Sequence, residues 1–303
     1  CQNCKEISMT DGVIRIGKYA FYGTGCEYLY LSNNILQIPE GAVSYKTERV
    51  HVTDNLNYIG KYAFGSVGSN LDSIVTDNLQ GEGINLPNNL ITIDEKAFYF
   101  WDGYSSITIP DSVTDLKTAA FARAYGLEDV HIGKGVTGIE KRTFYDCKNL
   151  KTVYIPKTVT FVDEYAFQAC SALSDVYYYG TKEDWDKIGI SNYNEPLINA
   201  NVHFLDEGIA SFTFNEHKYE IIDRSYTWSE AERLCELNGG HLATITSEAE
   251  QQAIEKAISK AGTKNIYWIG GTIIDSNWKW VTGEKWEYTN WASHEPNNAR
   301  GAE

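Results

Sequence analysis

The sequence is poor in positive charge and has no long apolar segment. It contains 26 lysines and arginines against 41 aspartates and glutamates, which gives a net charge of −15. Nucleic acids and anionic membranes are recognised through clusters of lysine and arginine, and this sequence has none, so neither is an expected partner. It has no run of about 18 apolar residues, and it has no basic segment followed by an apolar one. It therefore predicts no transmembrane segment and shows no signal peptide.

Cysteine is also scarce and follows no metal-binding pattern. The six cysteines are Cys1, Cys4, Cys26, Cys147, Cys170 and Cys235. No two Cys-x-x-Cys or Cys/His groups face one another, which argues against a zinc site. Cys147 and Cys170 occupy the same position of a repeat, and packing as small core residues is favoured over a bridge. The chain starts at Cys1 without a methionine. A mature lipoprotein, a processed terminus and a fragment all fit, and the fragment is favoured.

The first two hundred residues contain an internal repeat. A small residue followed by phenylalanine recurs every 23 residues, at Ala97-Phe98, Ala120-Phe121, Thr143-Phe144 and Ala166-Phe167. Such a period predicts a solenoid, because each unit needs its neighbours to bury its apolar face. We expect the phenylalanines to stack on one another in the core.

Each repeat also contains a short strand with alternating residues, as in Val153–Pro156. The residues expected to point outward from these strands are Tyr30, His51, Thr108, His131, Tyr154 and Tyr177. An exposed row of tyrosine and histidine is a candidate strip for binding a protein or glycan. The alternative is that the row stabilises the sheet through cross-strand contacts.

The repeated pattern Ile-Gly-x-x-Ala-Phe, followed by a strand that ends in Ile-Pro-x-Ser-Val-Thr at Ile109–Thr114, resembles the BspA-type leucine-rich repeats of microbial surface proteins. The resemblance covers about residues 10–204. Residues 178–204 resemble the closing unit of that family, and a distinct cap is what an open-ended solenoid requires. We therefore expect a repeat domain at 1–204 and a short connector at 205–209.

The last hundred residues have a different composition. Six of the eight tryptophans follow residue 227, and two capping boxes, Thr227–Glu230 and Ser247–Glu250, predict two helices. The order of landmarks, from Tyr226–Ala231 through Trp268–Gly271 and Trp278-x-Trp280 to Glu295-Pro296-Asn297, resembles the C-type lectin fold. The fold class is thus β-rich with an α+β C-terminal part: a leucine-rich-repeat solenoid, then an incomplete C-type lectin domain at 210–303.

The lectin resemblance implies a calcium and sugar site at Glu295, Asn297 and Glu303. In that family such residues bind Ca²⁺, and the ion contacts two neighbouring hydroxyls of a mannose-, glucose- or fucose-like sugar. Carboxylate and amide oxygens suit Ca²⁺, which takes six to eight oxygen ligands. A lone Glu-Pro-Asn is otherwise a common turn. Three side chains leave the shell incomplete, and the family's next strand and the cysteine that would pair with Cys235 are not in the sequence. We expect weak or no Ca²⁺ binding if the polypeptide ends at Glu303.

Two functions follow from these resemblances. The first is a secreted or cell-surface adhesin that binds glycans or glycoproteins through a Ca²⁺-dependent lectin head and binds host or bacterial surface proteins through its repeats. The alternative is a protein-interaction scaffold with a metal-free lectin-like spacer. The sequence has no hydrolase, zinc-protease or phosphate-loop motif, so we do not expect an enzyme. His241 and His294 are interpreted as a packed residue and a loop residue. Both resembled families are extracellular or surface-exposed.

Overall fold

The protein was analysed as a computed structural model. It describes residues 4–65, 71, 73–75, 84, 86–205, 210–222, 226–237, 239–261, 266–274 and 277–291. The chain divides into two compact units, Cys1–Glu207 and Gly208–Glu303. We call them the repeat unit and the C-terminal unit. Apart from Leu205, the predicted connector lies outside the described residues.

The described part of the repeat unit consists of short strands, with two helices near its end. The strands are β1 (Glu6–Ser8), β2 (Tyr28–Tyr30), β3 (Gln37–Ile38), β4 (Arg49–His51), β5 (Tyr58–Ile59), β6 (Ser73–Val75), β7 (Thr92–Ile93), β8 (Ser106–Thr108), β9 (Asp115–Leu116), β10 (Asp129–His131), β11 (Gly138–Ile139), β12 (Thr152–Pro156), β13 (Phe161–Val162), β14 (Asp175–Tyr179), β15 (Gly189–Ile190) and β16 (Asn201–Phe204). The helices are α1 (Lys182–Trp185) and α2 (Glu195–Asn199).

The longer strands pair in parallel and form the main face of a solenoid of about eight turns. One sheet has the order β1-β2-β4-β6 and the other has the order β8-β10-β12-β14-β16. Two isolated bridges, Ile74 to Ile84 and Ile84 to Ile107, connect them. In most of these strands the central residue is buried, as at Val130 and Val153, and the residues on either side of it lie on the outer face of the sheet. This is the period of two that the sequence predicts.

Stacked phenylalanines fill the core, which confirms the packing expected from the 23-residue period. The ring centroids of Phe98 and Phe121 lie 5.0 Å apart, and the planes are inclined by 7°. The stack is Phe64, Phe98, Phe121, Phe144 and Phe167. Each aromatic pair adds roughly 0.5–1.5 kcal/mol beyond the burial of its area. Repetition of one residue type thus supplies much of the core.

The segment predicted to close the array has a buried polar residue, Asn194, at the position where the preceding turns have Thr143 and Ala166 before the phenylalanine. The Asn194 amide donates to the carbonyls of Asp163 and Ser191, and its oxygen accepts a hydrogen bond from the Phe167 amide at 2.9 Å. Leu197 of α2 is fully buried against the core. The Asn194 side chain therefore makes the hydrogen bonds that the backbone of a further repeat turn would otherwise make.

The described cysteines are free thiols. Cys147 and Cys170 are buried, and each Sγ donates to a carbonyl, of Phe121 at 3.1 Å and of Phe144 at 3.0 Å. Burial raises the pKa of the Cys147 thiol well above its usual range. Both side chains pack as core residues, the interpretation favoured from the sequence.

The C-terminal unit contains two antiparallel hairpins and two helices in its described part. They are β17 (Ala210–Phe214), β18 (His217–Ile221), α3 (Trp228–Leu237), α4 (Glu248–Ala261), β19 (Gly271–Ile274) and β20 (Asn277–Trp280). The two helices lie where the capping boxes predict them. Among the described residues of this unit, the buried apolar side chains are Ile221, Ala231, Leu234, Leu242, Ile245 and Trp280.

Candidate functional site

The outward row of the main sheet is the part of the predicted binding surface that the structure describes. Residues at the same position of successive strands are paired in register, as with Tyr30 and His51, or His131 and Tyr154. Tyr30 and His51 have ring centroids 5.9 Å apart. In the same row, Val75 pairs with His51, and Thr108 pairs with His131. Val75 is a position in the row that the sequence prediction did not include.

Four aromatic side chains at the C-terminal end of the row form a continuous stack, which we call the aromatic ladder. Its members are His131, Tyr154, Tyr177 and His203. Successive ring centroids lie 3.8, 4.8 and 4.5 Å apart, and the rings are inclined by 10°, 12° and 17°. Because the rings cover one another's faces, they present their edges to a ligand. The ladder can offer hydroxyl and imidazole groups for hydrogen bonds, but its inner rings cannot act as flat platforms.

The structure corrects one feature of the predicted row. His131 was expected to be exposed, and it is only 8% exposed. The Tyr154 ring covers it at the shortest spacing in the ladder. Tyr154 and Tyr177 remain half-buried and are the more accessible members.

His203 belongs to the ladder and was missed in the sequence. β16 adds a further parallel strand, and it pairs Tyr177 with His203. His203 Nε2 lies 2.8 Å from Asp175 Oδ1. This hydrogen bond, followed by one from Ser174, lowers the pKa of the Asp175 carboxyl. Tyr177 and His203 are 26 residues apart because α1, β15 and α2 lie between them. The 23-residue period therefore did not predict His203 as a member of the row.

In the C-terminal unit, a groove of about 1370 Å³ lies beside two tethered carboxylates. Glu250 of α4 is 8% exposed, and it accepts hydrogen bonds from the Tyr219 hydroxyl and from the amide and hydroxyl of Thr246. Desolvation, and then Glu250, raise the pKa of Tyr219. Glu284 accepts from Thr244 at 2.5 Å and from Thr282 at 2.8 Å, and these bonds lower the pKa of its carboxyl. Both carboxylates already have partners that hold them in place.

Tryptophans pack around the second hairpin, just before the predicted calcium loop. The centroid of Trp286 lies 4.2 Å from that of Trp280, and the centroid of Trp278 lies 5.1 Å from that of Trp291. Gly270 allows the close approach of this hairpin, since a Cβ there would lie 2.8 Å from the Leu242 carbonyl oxygen. Gly271 lies against Trp286, since a Cβ there would lie 3.1 Å from the tryptophan ring, so this glycine landmark and the tryptophan landmarks pack on each other.

The predicted calcium ligands themselves, Glu295, Asn297 and Glu303, lie outside the described residues, as do Cys1 and His294. Among the residues that are described, no three His, Cys, Asp or Glu side chains are grouped so as to hold a metal ion. Burial raises the pKa of the Cys235 thiol to about 11. In the described parts of both units, no helix has the length and apolar character needed to cross a membrane.

Comparison with known families assigns both units. The model of the BspA type leucine rich repeat region matches residues 1–81 and 77–192 in six copies. The model of the lectin C-type domain matches residues 224–303. Both resemblances predicted from the sequence are confirmed, as is the fold class.

The curated relatives match the C-terminal unit. Ladderlectin of Oncorhynchus mykiss is 36% identical over 95 residues, which are 30% of this chain and 50% of that protein. Asialoglycoprotein receptor 2 of Homo sapiens is 41% identical over 78 residues, which are 25% of this chain and 24% of that protein. The chain thus spans half or less of the length of these relatives.

Among solved structures, the Leucine Rich Repeat protein of T. pallidum is similar to this chain with 18% identity and a TM-score of 0.45. The match covers 66% of this chain and 91% of that protein.

Proposed function

The chain belongs to the BspA-type leucine-rich repeat family and carries a C-type lectin domain, and on that premise we propose that it is a surface or secreted glycan-binding adhesin. Its lectin domain binds a mannose-, glucose- or fucose-type sugar with the help of Ca²⁺. Its repeats bind a protein on a host or bacterial surface. Families of this kind are typically binding proteins, so we propose no catalytic step.

The observation that carries the proposal is the packing that leads up to the Glu-Pro-Asn segment. A lone Glu-Pro-Asn has little weight, but here it follows the hairpin of β19 and β20 and the packed tryptophans within a matched lectin domain. That context supports a ligand-binding loop over an ordinary turn. The curated relatives are lectins or receptors by name, which agrees with this assignment.

The side chains proposed to hold Ca²⁺ are Glu295, Asn297 and Glu303. Their oxygen donors fit a hard divalent cation by chemistry. Bound Ca²⁺ would supply a Lewis-acidic centre for sugar hydroxyls. Glu295 would accept a hydrogen bond from a hydroxyl, and the Asn297 NH₂ would donate one. Glu250 and Glu284 are not proposed as ligands, because hydroxyl and amide donors already hold their oxygens.

We propose that the repeats bind a protein partner through the aromatic ladder and the remaining members of the row, Tyr30, His51 and Thr108. Tyrosine hydroxyl edges and the Asp175–His203 pair offer directional hydrogen bonds at spacings of 4.5 and 4.8 Å along the sheet. The outward position of Tyr154 and Tyr177 supports this role. Cross-strand stabilisation is the competing role for the same contacts.

The test is a calorimetric titration of the full-length protein, as its gene encodes it, with Ca²⁺ and then mannose. We expect Ca²⁺ to bind first and mannose to bind only afterwards, with both lost in Glu295→Gln. Glu287→Gln is the matched control, because Glu287 is an exposed acidic residue of the same unit that lies before the loop. Unchanged mannose binding in EDTA would overturn the calcium-dependent part of the proposal.

The second candidate is a protein-interaction scaffold whose lectin-like domain is a metal-free spacer. The aromatic ladder favours this scaffold function, because the repeats themselves have an ordered surface that can form hydrogen bonds with a partner. In this case, Ca²⁺ would release no heat, and chelation would leave partner binding intact. Tyr154→Ala with Tyr177→Ala would then abolish the capture of cells or surface extracts, whereas Glu295→Gln would have no effect.

A further inference from the structure

A second surface of the repeat unit, separate from the main sheet, carries large side chains on strained backbone. One position of each turn has a positive φ, which glycine adopts most easily. In this protein the position is occupied by glycine at Gly41 and by alanine at Ala119, and elsewhere by large residues: Tyr19 (φ 57°), Tyr62 (53°), Lys96 (56°), Arg142 (59°), Tyr165 (64°) and Tyr193 (66°). Left-handed backbone costs a residue with a Cβ roughly 1–2 kcal/mol. The repeat structure holds these residues in place, because their amides donate to the next turn, as Arg142 does to the Glu164 carbonyl at 3.2 Å.

Arg142 is the cation on this surface that has aromatic neighbours and no acidic partner. Its guanidinium carbon lies 5.3 Å from the centroid of the Tyr165 ring and 5.8 Å from that of Tyr145. Among the described residues, no carboxylate lies within ion-pair distance of it, whereas Lys141 next to it contacts Glu164 at 2.8 Å. Arg142 is exposed. Two rings thus hold an accessible guanidinium, whose fork of donors fits a carboxylate or sulfate.

The same stack ends in an exposed ring. Tyr165 and Tyr193 lie almost parallel, with centroids 4.5 Å apart and planes inclined by 5°. Tyr193 is 46% exposed. Unlike the inner rings of the aromatic ladder, it closes its stack and has an accessible face. A flat aromatic face packs well against the C–H face of a sugar ring, because the ring's negative face attracts weakly positive hydrogens.

Further cations lie over aromatic rings on neighbouring turns. Lys96 Nζ is 5.3 Å from the centroid of Tyr62, Arg123 is 5.0 Å from that of Phe100, and Lys148 is 5.4 Å from that of Tyr125. Each of these three cations also has an acidic neighbour: Lys96 Nζ lies 3.2 Å from Glu95, and Asp146 lies 3.5 Å from Arg123 and 3.8 Å from Lys148. Arg142 differs from them, because no carboxylate of the described residues lies within ion-pair distance of it.

We propose that Arg142, Tyr165 and Tyr193 form a binding site for an acidic polysaccharide, in which Arg142 holds a carboxylate or sulfate and Tyr193 packs against a sugar ring. The site needs no metal ion and lies in the repeat unit. It therefore stands independently of the calcium-dependent function proposed above.

The test measures binding of the full-length protein to polygalacturonate and to heparin in EDTA, with neutral dextran and poly-L-glutamate as comparison polymers. Polygalacturonate tests the carboxylate source and heparin tests the sulfate source. We expect at least one of them to bind and dextran not to bind. Affinity should fall at least tenfold between 50 and 500 mM NaCl, since contacts between exposed charges are screened.

The variants distinguish binding at this site from non-specific attraction of the polymer to positive side chains elsewhere on the protein. We expect Arg142→Ala to weaken binding about tenfold or more, equivalent to about 1.4 kcal/mol. Arg142→Lys should recover only part of the loss, because a lysine lacks the planar fork. Tyr193→Ala should weaken binding severalfold. Lys5→Ala is the matched control, an exposed lysine on the first turn. Thermal unfolding of each variant checks that it is folded.

Three results would overturn the proposal. One is equal losses in Arg142→Ala and Lys5→Ala. Another is binding of poly-L-glutamate as tight as that of the acidic polysaccharides with no effect of Tyr193→Ala, which would indicate a site for acidic peptides. The third is abolition of polymer binding by EDTA, which would assign the activity to the lectin loop.

Discussion

The two units organise their side chains in different ways. In the repeat unit, one phenylalanine position is repeated turn after turn, and each ring is buried between its copies. In the C-terminal unit, the described core is small, and it surrounds a groove with tethered carboxylates and partly exposed tryptophans. Repetition therefore makes a core robust and gives binding groups a regular spacing, whereas the C-terminal unit relies on single residues, such as Glu250 and Glu284, to hold its segments in place.

The largest expected effect is in the phenylalanine stack. Phe121→Ala removes a fully buried ring that stacks on both of its neighbours, and it should lower the free energy of unfolding of the repeat unit by about 3–5 kcal/mol. Urea unfolding followed by circular dichroism measures this. Phe161→Ala is the control, because Phe161 is 40% exposed, and its effect should be much smaller. Similar losses in the two variants would mean that the stack is not the main support of the unit.

In the C-terminal unit, a single polar residue should have the next largest effect. Glu250→Ala leaves the Tyr219 hydroxyl and the Thr246 amide without their acceptor, and it should cost about 1–3 kcal/mol of that unit's stability. Tryptophan fluorescence during unfolding reports on this unit, which contains six of the eight tryptophans. Glu248→Ala, at an exposed position of the same helix, should change stability by less than about 0.5 kcal/mol. A Glu250→Ala effect no larger than that of Glu248→Ala would contradict the tethering role.

The smallest expected effect is a dependence of stability on pH in the repeat unit. Burial of Tyr58, and then its hydrogen bond to Asp94, raise its pKa from 10 to about 12. The folded state therefore keeps this proton longer than the unfolded state does. The resulting stability is complete below about pH 10 and is lost as the pH rises towards 12. The difference in unfolding free energy between the wild type and Tyr58→Phe should shrink between pH 9 and pH 12. A constant difference would show that the phenol does not contribute in this way.

Most of the repeat unit could be predicted because its signals are local and repeated. The 23-residue period located the Phe98 to Phe167 stack, and strand alternation located the outward row. The burial of His131 could not be predicted, since it depends on how the Tyr154 ring turns. His203 escaped because the cap helices change the spacing. The positive-φ position of the proposed site recurs every 23 residues at Lys96, Ala119, Arg142 and Tyr165, but the residue type at that position changes from turn to turn, so the sequence did not show that Arg142 would lie over the Tyr165 ring.

In the C-terminal unit, the fold could be predicted from the sequence, but the contacts of individual side chains could not. Its landmarks identified the fold, which the lectin family match confirms. The calcium and sugar assignment of Glu295, Asn297 and Glu303 stays a prediction. The tethering of Glu250 and Glu284 was not foreseen, because their partners Tyr219 and Thr244 lie 31 and 40 residues away in the sequence.

The most direct test of two separate binding sites compares mannose binding and acidic-polysaccharide binding in two variants of the full-length protein, Glu295→Gln and Arg142→Ala. We expect Glu295→Gln to abolish calcium-dependent mannose binding and to leave polysaccharide binding in EDTA unchanged. We expect Arg142→Ala to weaken polysaccharide binding and to leave mannose binding unchanged. Mannose binding that persists in Glu295→Gln would contradict the lectin assignment. Polysaccharide binding that persists at full strength in Arg142→Ala would contradict the repeat-unit site.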